Sequence, residues 1–158
     1  MTPATYGVLD FIADSFNPLL TIIALAGPFL RRPRTLRSTI AYYLSAAAAI
    51  GIVYVVRAID GRQHLWASFG LHFSTHSAFA ASLVASLGSF IRRWVAPLVI
   101  AAVLYFSLEL VMRYHGFGDI LTSASLAVIT AVLLHLALAR VAQPSLPSRD
   151  RSDEGFGR

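Results

Sequence analysis

The sequence predicts an all-α membrane protein, a polytopic helix bundle of about five transmembrane helices. Of its 158 residues, 56% are hydrophobic and only 13% are charged, whereas roughly 25% of the residues of an ordinary soluble domain are charged. The apolar residues form uncharged blocks close to the ~20 residues that a helix needs to cross a bilayer. No block alternates with the period of two that marks a β-strand, so we expect helices throughout.

Five apolar blocks define the predicted spans. The first combines the amphipathic stretch Tyr6–Asp14 with the uncharged stretch Ser15–Leu30. Because this segment lacks the basic start of a cleavable signal peptide, we expect it to be retained. The later spans hold 19 or 20 residues each and are Ser38–Val56, Phe73–Ile91, Trp94–Met112 and Ile120–Ala139.

The third predicted span carries a stripe of small residues. These recur at steps of three and four and are Ala78, Ser82, Ala85 and Ser89. Small side chains at this spacing allow other helices to approach closely in a membrane. We therefore expect the third helix to lie at the centre of the bundle.

The arginines predict the orientation of the bundle. Ten of the thirteen follow the first, third and fifth spans, and only Arg57, Arg62 and Arg113 lie in the opposite loops. Because short arginine-rich loops stay in the cytoplasm, the amino end is expected outside and the carboxyl end inside. Residues 1–143 would form the membrane domain, and the polar residues 144–158 a disordered cytoplasmic tail.

Composition excludes several kinds of chemistry. The chain contains neither cysteine nor lysine, so disulfides, thiolate nucleophiles, cysteine metal sites and Schiff bases are excluded. The net charge of +5 is explained by arginines that flank membrane spans, and we expect no nucleic-acid partner. The oligomeric state is left open.

Polar and ionisable residues collect at the outer end of the predicted bundle. His76 and His115 are 39 residues apart, about the length of two bilayer crossings, so a helical hairpin returns both to the same depth. Ionisable groups are costly to desolvate in a membrane, and a cluster of them is a functional-site hypothesis. The cluster also includes Arg57, Asp60, Arg62, His64, His72, Ser74, Thr75, Glu109, Arg113 and Asp119.

His115 and Asp119 are the strongest pair in this cluster. The carboxylate can accept a hydrogen bond from one imidazole nitrogen and leave the other nitrogen free to attack or to bind metal. Alternatively, Asp119 simply caps the last helix. Ser74 and Thr75 likewise either cap the third helix or contribute to an anion site at its amino end. Arg57, Arg62 and Arg113 would supply phosphate donors.

Two motifs in this cluster resemble those of the type 2 phosphatidic acid phosphatase superfamily, membrane enzymes that act on lipid phosphates. Phe73-Ser74-Thr75-His76 stands where the family has Pro-Ser-Gly-His, and His115-Gly116-Phe117-Gly118-Asp119 keeps its His-x3-Asp spacing. The chain departs from the family in two places. Leu108-Glu109 replaces Ser-Arg, and Arg57 and Arg62 are too close together to form the Lys-x6-Arg-Pro motif.

The resemblance implies a role for each site residue. His115 would form a phosphohistidine and Asp119 would orient it. His76 would protonate the leaving alkoxide and later activate water, as an imidazole can near neutral pH. The phosphoryl oxygens would be held by Ser74, Thr75, Arg57, Arg62 and Arg113. Glu109 is expected to pair with Arg57 or Arg62 beside the reacting groups, with His72 close by, and no metal or cofactor is required.

Two other interpretations remain open from the sequence. His72, His76, His115 and Asp119 have the donor types of a metal site, which would make the chain a metal-dependent membrane hydrolase. The loss of the family arginine would instead suit a non-catalytic relative that binds lipid phosphate or a protein. His135, in the inner half of the last span, is interpreted as a packing residue.

The expected substrate is an amphiphile with its phosphate at the outer leaflet, such as an isoprenoid or glycerolipid phosphate or diphosphate. Hydrolysis and transfer to another acceptor can share one phosphoenzyme, so the acceptor stays open. We expect an integral protein of a bacterial inner membrane, with the site on the periplasmic or extracellular side.

Overall fold

The computed structural model describes residues 2–30 and 35–142, and the predicted all-α fold is confirmed. Within these ranges the chain forms helices and no strand. Two short 3₁₀ turns, Ala67–Phe69 and Arg92–Trp94, precede α3 and α4. The helices are α1 (Pro3–Leu30), α2 (Leu36–Gln63), α3 (Thr75–Phe90), α4 (Val95–Val111) and α5 (Phe117–Ala142).

Four helices are long and apolar enough to cross a membrane, which indicates an integral membrane protein. They are α1, α2, α5 and α4 with the 3₁₀ turn that leads into it. The third predicted span differs, because α3 has only 16 residues, about 24 Å at 1.5 Å per residue. The shortening has a local cause. Ser74 accepts a hydrogen bond from the Ser77 N–H and caps the helix, so Phe73 and Ser74 lie outside it.

The short helix α3 is the centre of the bundle, as predicted. It packs against α1, α2, α4 and α5, and ten of its residues are buried. Of the predicted small-residue stripe, Ala78 and Ser82 are buried, whereas Ala85 and Ser89 are half-buried. Small residues on α3 are consistent with this close packing, and α3 contacts four helices instead of a single partner.

Aromatic contacts and one close glycine attach α1 to the rest of the bundle. The rings of Phe16 and Tyr105 stack with centroids 4.3 Å apart. The Tyr42 hydroxyl donates to the Ala24 carbonyl at 2.9 Å. A Cβ atom on Gly27 would lie 2.9 Å from a methyl carbon of Leu87, so a larger residue there would require the Leu87 side chain to shift.

Contacts at the two ends of the bundle follow the predicted division of the arginines. At one end, Arg37 donates to the Val141 carbonyl and Arg93 donates to the Leu30 carbonyl. At the other end, the Trp66 indole N–H donates to the Thr122 hydroxyl at 2.9 Å, and Arg57 and Arg113 line one cavity. The arginines at positions 31–34 and the predicted tail 144–158 lie outside the described residues.

Overpacking of α3 tests its central position. Ala80 is fully buried within the main hydrophobic cluster. We expect Ala80→Leu to lower the free energy of unfolding by about 1–3 kcal/mol, because a tightly packed core has no room for the larger side chain. Ala96 on α4 is exposed and provides the matched control, Ala96→Leu. Denaturation of both variants in detergent measures the effect, and equal stability of the two would contradict the assignment of α3 as the core helix.

Candidate active site

A cavity of about 750 Å³ lies at the end of the bundle where the sequence predicts the site. Its walls come from α2, from the segment between α2 and α3, and from the segment that joins α4 to α5. We call it the arginine pocket, and the residues that define it are Arg57, His72, Arg113, His115 and Asp119. Five predicted site residues thus share one cavity.

A second cavity, of about 540 Å³, lies between α1, α3 and α4. We call it the acidic pocket, and it is defined by Asp10, Asp14, His76, Glu109 and His115. His115 and Tyr114 line both cavities. His76 and His115, far apart in sequence, therefore border the same cavity, as expected for residues returned to one depth by a helical hairpin.

Asp119 joins two segments of the site. One carboxylate oxygen, Oδ1, accepts a hydrogen bond from the His72 backbone N–H at 2.7 Å, and Oδ2 accepts one from the Gly116 N–H at 2.9 Å. Oδ2 also lies 3.9 Å from His115 Nδ1. The carboxylate thus satisfies a backbone donor just before α5, as a cap does, and also faces the imidazole.

The two predicted cations that line the arginine pocket are available to an anion. Within the described ranges, neither Arg57 nor Arg113 forms an ion pair. The nearby carboxylates are already engaged by backbone groups, since Asp60 Oδ1 accepts from the Trp66 N–H at 2.8 Å and Asp119 is held as described above. Arg62 is exposed and does not line this pocket.

Ser74 and Thr75 are not brought to either pocket. The Ser74 side chain is fully buried, and its oxygen accepts from the Ser77 N–H at 3.3 Å and lies 2.8 Å from the Ser77 hydroxyl. Its backbone N–H donates to the Ser123 hydroxyl at 2.9 Å. Thr75 is the first residue of α3. Ser74 therefore caps the helix and ties α3 to α5.

Glu109 lies apart from the arginines, so its expected pairing with Arg57 or Arg62 is wrong. The Glu109 side chain is 1% exposed and accepts a short hydrogen bond from the Ser77 hydroxyl. The cause is the packing of α4, which contacts α1 and α3, whereas both arginines lie on α2. Glu109 therefore lines the acidic pocket and not the arginine pocket.

Several residues of the acidic pocket are absent from the sequence prediction. Asn17 donates to the His76 carbonyl and to the Tyr105 hydroxyl, both at 3.4 Å. The Tyr114 hydroxyl donates a short hydrogen bond to Asp10, and this bond raises the pKa of Tyr114. A signal did exist in the sequence. Asp10, Asp14 and Asn17 follow the i, i+4, i+7 spacing of one helix face.

The donor set suggested for a metal is not assembled. In the part of the chain that the structure describes, no three His, Asp or Glu side chains lie close enough to hold one metal ion. His72 is an exposed residue, and it contributes to the site through its backbone N–H, which donates to Asp119. The geometry thus favours anion chemistry at the arginine pocket over metal ligation.

Comparison of the chain with protein-family models, with curated proteins and with solved structures found no match.

The backbone at Arg113 supports a prediction about stability. Its φ is 58°, in the left-handed region, and His64, which also lines the arginine pocket, has a φ of 53°. A side chain in this region strains the backbone, whereas glycine does not. We expect Arg113→Gly to raise the free energy of unfolding by roughly 1 kcal/mol while it removes one cation from the pocket.

The matched control is His64→Gly, which relieves the same backbone strain without removing an arginine. Thermal unfolding in detergent measures both variants. Lower stability of Arg113→Gly would show that the guanidinium contributes more to the fold than the left-handed backbone costs.

Proposed function

We propose that the chain is a divergent, small member of the type 2 phosphatidic acid phosphatase superfamily. It would be a membrane lipid-phosphate phosphatase or phosphotransferase that acts through a phosphohistidine. One observation carries the proposal. His115, with Nδ1 turned toward Asp119, lies where the arginine pocket meets the pocket that contains His76.

The proposed reaction begins with attack of His115 Nε2 on phosphorus. The bond from phosphorus to the ester oxygen breaks, and His76, as imidazolium, gives its proton to the leaving alkoxide. Asp119 holds the Nδ1 side of His115 and stabilises the positive charge that develops on the ring. In the second half, His76 removes a proton from water or from an acceptor alcohol, whose oxygen attacks the phosphohistidine and releases the phosphoryl group.

Arg57 and Arg113 are assigned to the phosphoryl oxygens. Guanidinium groups bind phosphate through paired, charge-assisted hydrogen bonds, and both line the cavity beside His115. Stabilisation of the negative charge that spreads over the phosphoryl oxygens is the main catalytic term in this chemistry. Ser74 and Thr75 are left out of this cradle because they line neither pocket.

The substrate is proposed to be an amphiphile with its phosphate at the membrane surface, such as an isoprenoid or glycerolipid phosphate or diphosphate. The distribution of arginines favours a bacterial inner-membrane protein with the site on the periplasmic or extracellular side. The packing supports this orientation, because Arg37 and Arg93 lie at the end of the bundle opposite the two pockets.

A second candidate function is a non-catalytic relative that binds lipid phosphate. The observation in its favour is Glu109, a buried carboxylate near the position where the family has an arginine. This relative would keep the anion-binding arginines but would not need a reactive His115.

Substitution of His115 separates these two functions. We expect His115→Asn to lower the rate of phosphate release from a lipid phosphate by at least about a hundredfold, because amide nitrogen is neither a nucleophile nor a base in this reaction. Release of inorganic phosphate by the purified protein in detergent micelles measures the rate.

The matched control is His135→Gln. It removes an imidazole from the second half of α5, whereas His115 lies just before the start of that helix. It should retain the unsubstituted rate. If His115→Asn retains that rate as well, the phosphohistidine mechanism is wrong. If the unsubstituted protein binds a lipid phosphate but releases no phosphate from it, the non-catalytic relative is favoured.

Substitution of Arg57 tests the phosphate cradle. We expect Arg57→Gln to reduce kcat/KM for a lipid phosphate by about tenfold or more, since loss of a charge-assisted contact is worth about 1.5–3 kcal/mol. The control variant is Arg140→Gln. It removes an exposed arginine near the carboxyl end of α5 and should leave kcat/KM unchanged. Equal kinetics of the two variants would exclude Arg57 from phosphate binding.

A further inference from the structure

A groove lies between α4 and α5 at the end of the bundle opposite the arginine pocket. Both helices pack against α3 but have no extensive contact with each other along their described lengths, so α3 forms the floor of the gap between them. The cavity in this gap has a volume of about 620 Å³, within the range of ligand-binding pockets. We call it the α4–α5 groove, and the residues that define it are Gly88, Arg92, Val95, Val99, Val132 and Leu136.

The walls of the groove suit a hydrocarbon chain. Val95, Val99 and Leu136 are apolar and exposed on the surface of the bundle, and exposed apolar residues of membrane-spanning helices face lipid. The lining extends along α5 from Val128 to Leu136, which is about 12 Å at 1.5 Å per residue. This length covers most of one half of the ~30 Å hydrocarbon core, the half that the chains of one leaflet fill.

One cation lies at the end of this apolar lining. Arg92 is exposed, lines the groove and forms no hydrogen bond or ion pair with any described residue. It belongs to the 3₁₀ turn that also contains Trp94, and tryptophan is enriched where the hydrocarbon core meets the headgroups. A guanidinium at this level can bind a phosphate headgroup through paired, charge-assisted hydrogen bonds.

The positive charge at this end of the bundle lacks a counter-charge among the described residues. Arg37 and Arg93 lie at the same end, where each donates to a backbone carbonyl. Every carboxylate side chain of the described residues lines one of the two pockets at the opposite end. An anionic lipid would supply the missing charge. A second copy of the chain in the same orientation would instead bring its own arginines to this level.

The rest of the gap between α4 and α5 lacks a partner for a headgroup. A neighbouring cavity of about 470 Å³ is lined by both helices, and none of the described residues that line it is ionisable. His135 lines the α4–α5 groove, but it is not assigned to a ligand because it already has an interaction within the protein. Arg92 is therefore the group that selects the ligand.

We propose that the α4–α5 groove binds a phospholipid with an anionic headgroup, taken from the leaflet at the arginine-rich end of the bundle. One acyl chain lies against Val99, Val132 and Leu136, and Arg92 binds the phosphate. This lipid site is separate from the arginine pocket and does not depend on the proposed function.

Quenching of tryptophan fluorescence by brominated lipids tests the proposal. The chain contains two tryptophans, and Trp66→Phe leaves Trp94, close to Arg92, as the only one. The full-length protein is placed in phosphatidylcholine vesicles that contain either dibrominated phosphatidylglycerol or dibrominated phosphatidylcholine. We expect the anionic lipid to bind near Trp94 about fivefold or more tightly, the ratio that one arginine at a membrane surface supplies. Native mass spectrometry with the same two lipids repeats the comparison without Trp66→Phe.

Adjacent residues provide matched controls. Arg92→Gln should reduce the preference for the anionic lipid toward one, whereas Arg93→Gln should retain it, because Arg93 does not line the groove. Val132→Phe fills the groove and should also reduce the preference. Leu133→Phe adds an aromatic ring at the next residue of α5, which is exposed and outside the groove, and should retain it.

Three results would overturn the proposal. The first is the absence of any preference for the anionic lipid in the unsubstituted protein. The second is an equal loss of preference in Arg92→Gln and Arg93→Gln, because general attraction between a positive surface and anionic lipid would then explain the binding. The third is a dimer, measured by light scattering, that Val132→Phe dissociates, since a second copy of the chain would then fill the groove.

Discussion

The site depends on one carboxylate that joins two segments of the chain. Asp119 accepts hydrogen bonds from the His72 and Gly116 backbone N–H groups, so it fixes the segment before α3 against the segment before α5. Because both segments line the arginine pocket, this pair of bonds sets the shape of the cavity. It also places His115, whose Nδ1 lies 3.9 Å from the same carboxylate. Removal of Asp119 would therefore disturb the cavity as well as the histidine.

A network of buried polar side chains joins α3, α4 and α5. The Ser123 hydroxyl of α5 accepts from the Ser74 N–H, the Ser74 and Ser77 hydroxyls lie 2.8 Å apart, and Ser77 donates to Glu109 of α4. Buried polar groups are costly unless they are paired, and each of these has a partner. This network joins three helices around the start of α3. Ser74 takes part in it as the helix cap, so α3 begins at Thr75 and not at Phe73, where the predicted span begins.

Much of the fold could be predicted from the sequence, because long uncharged blocks have few alternatives to membrane helices. Helical spacing and hairpin length also placed His115 beside Asp119 and on the same cavity as His76. The sequence could not fix which face of each helix meets which neighbour. For that reason the sequence predicts Glu109 near Arg57, although α4 packs against α1 and α3. The same uncertainty hid the contribution of Asp10 and Asp14, since α1 lies outside the motifs that carry the resemblance.

The two pockets are lined by different helices. Helix α1 supplies Asp10, Asp14 and Asn17 to the acidic pocket, and none of the described residues of α1 lines the arginine pocket. The groups assigned to phosphoryl transfer all lie on other elements, and His115 lies in the segment between α4 and α5. Substitutions on α1 would therefore alter the lining of the acidic pocket and leave the lining of the arginine pocket unchanged. Glu109 fits the proposed reaction, because a carboxylate in the acidic pocket would oppose a phosphate less than one inside the arginine pocket would.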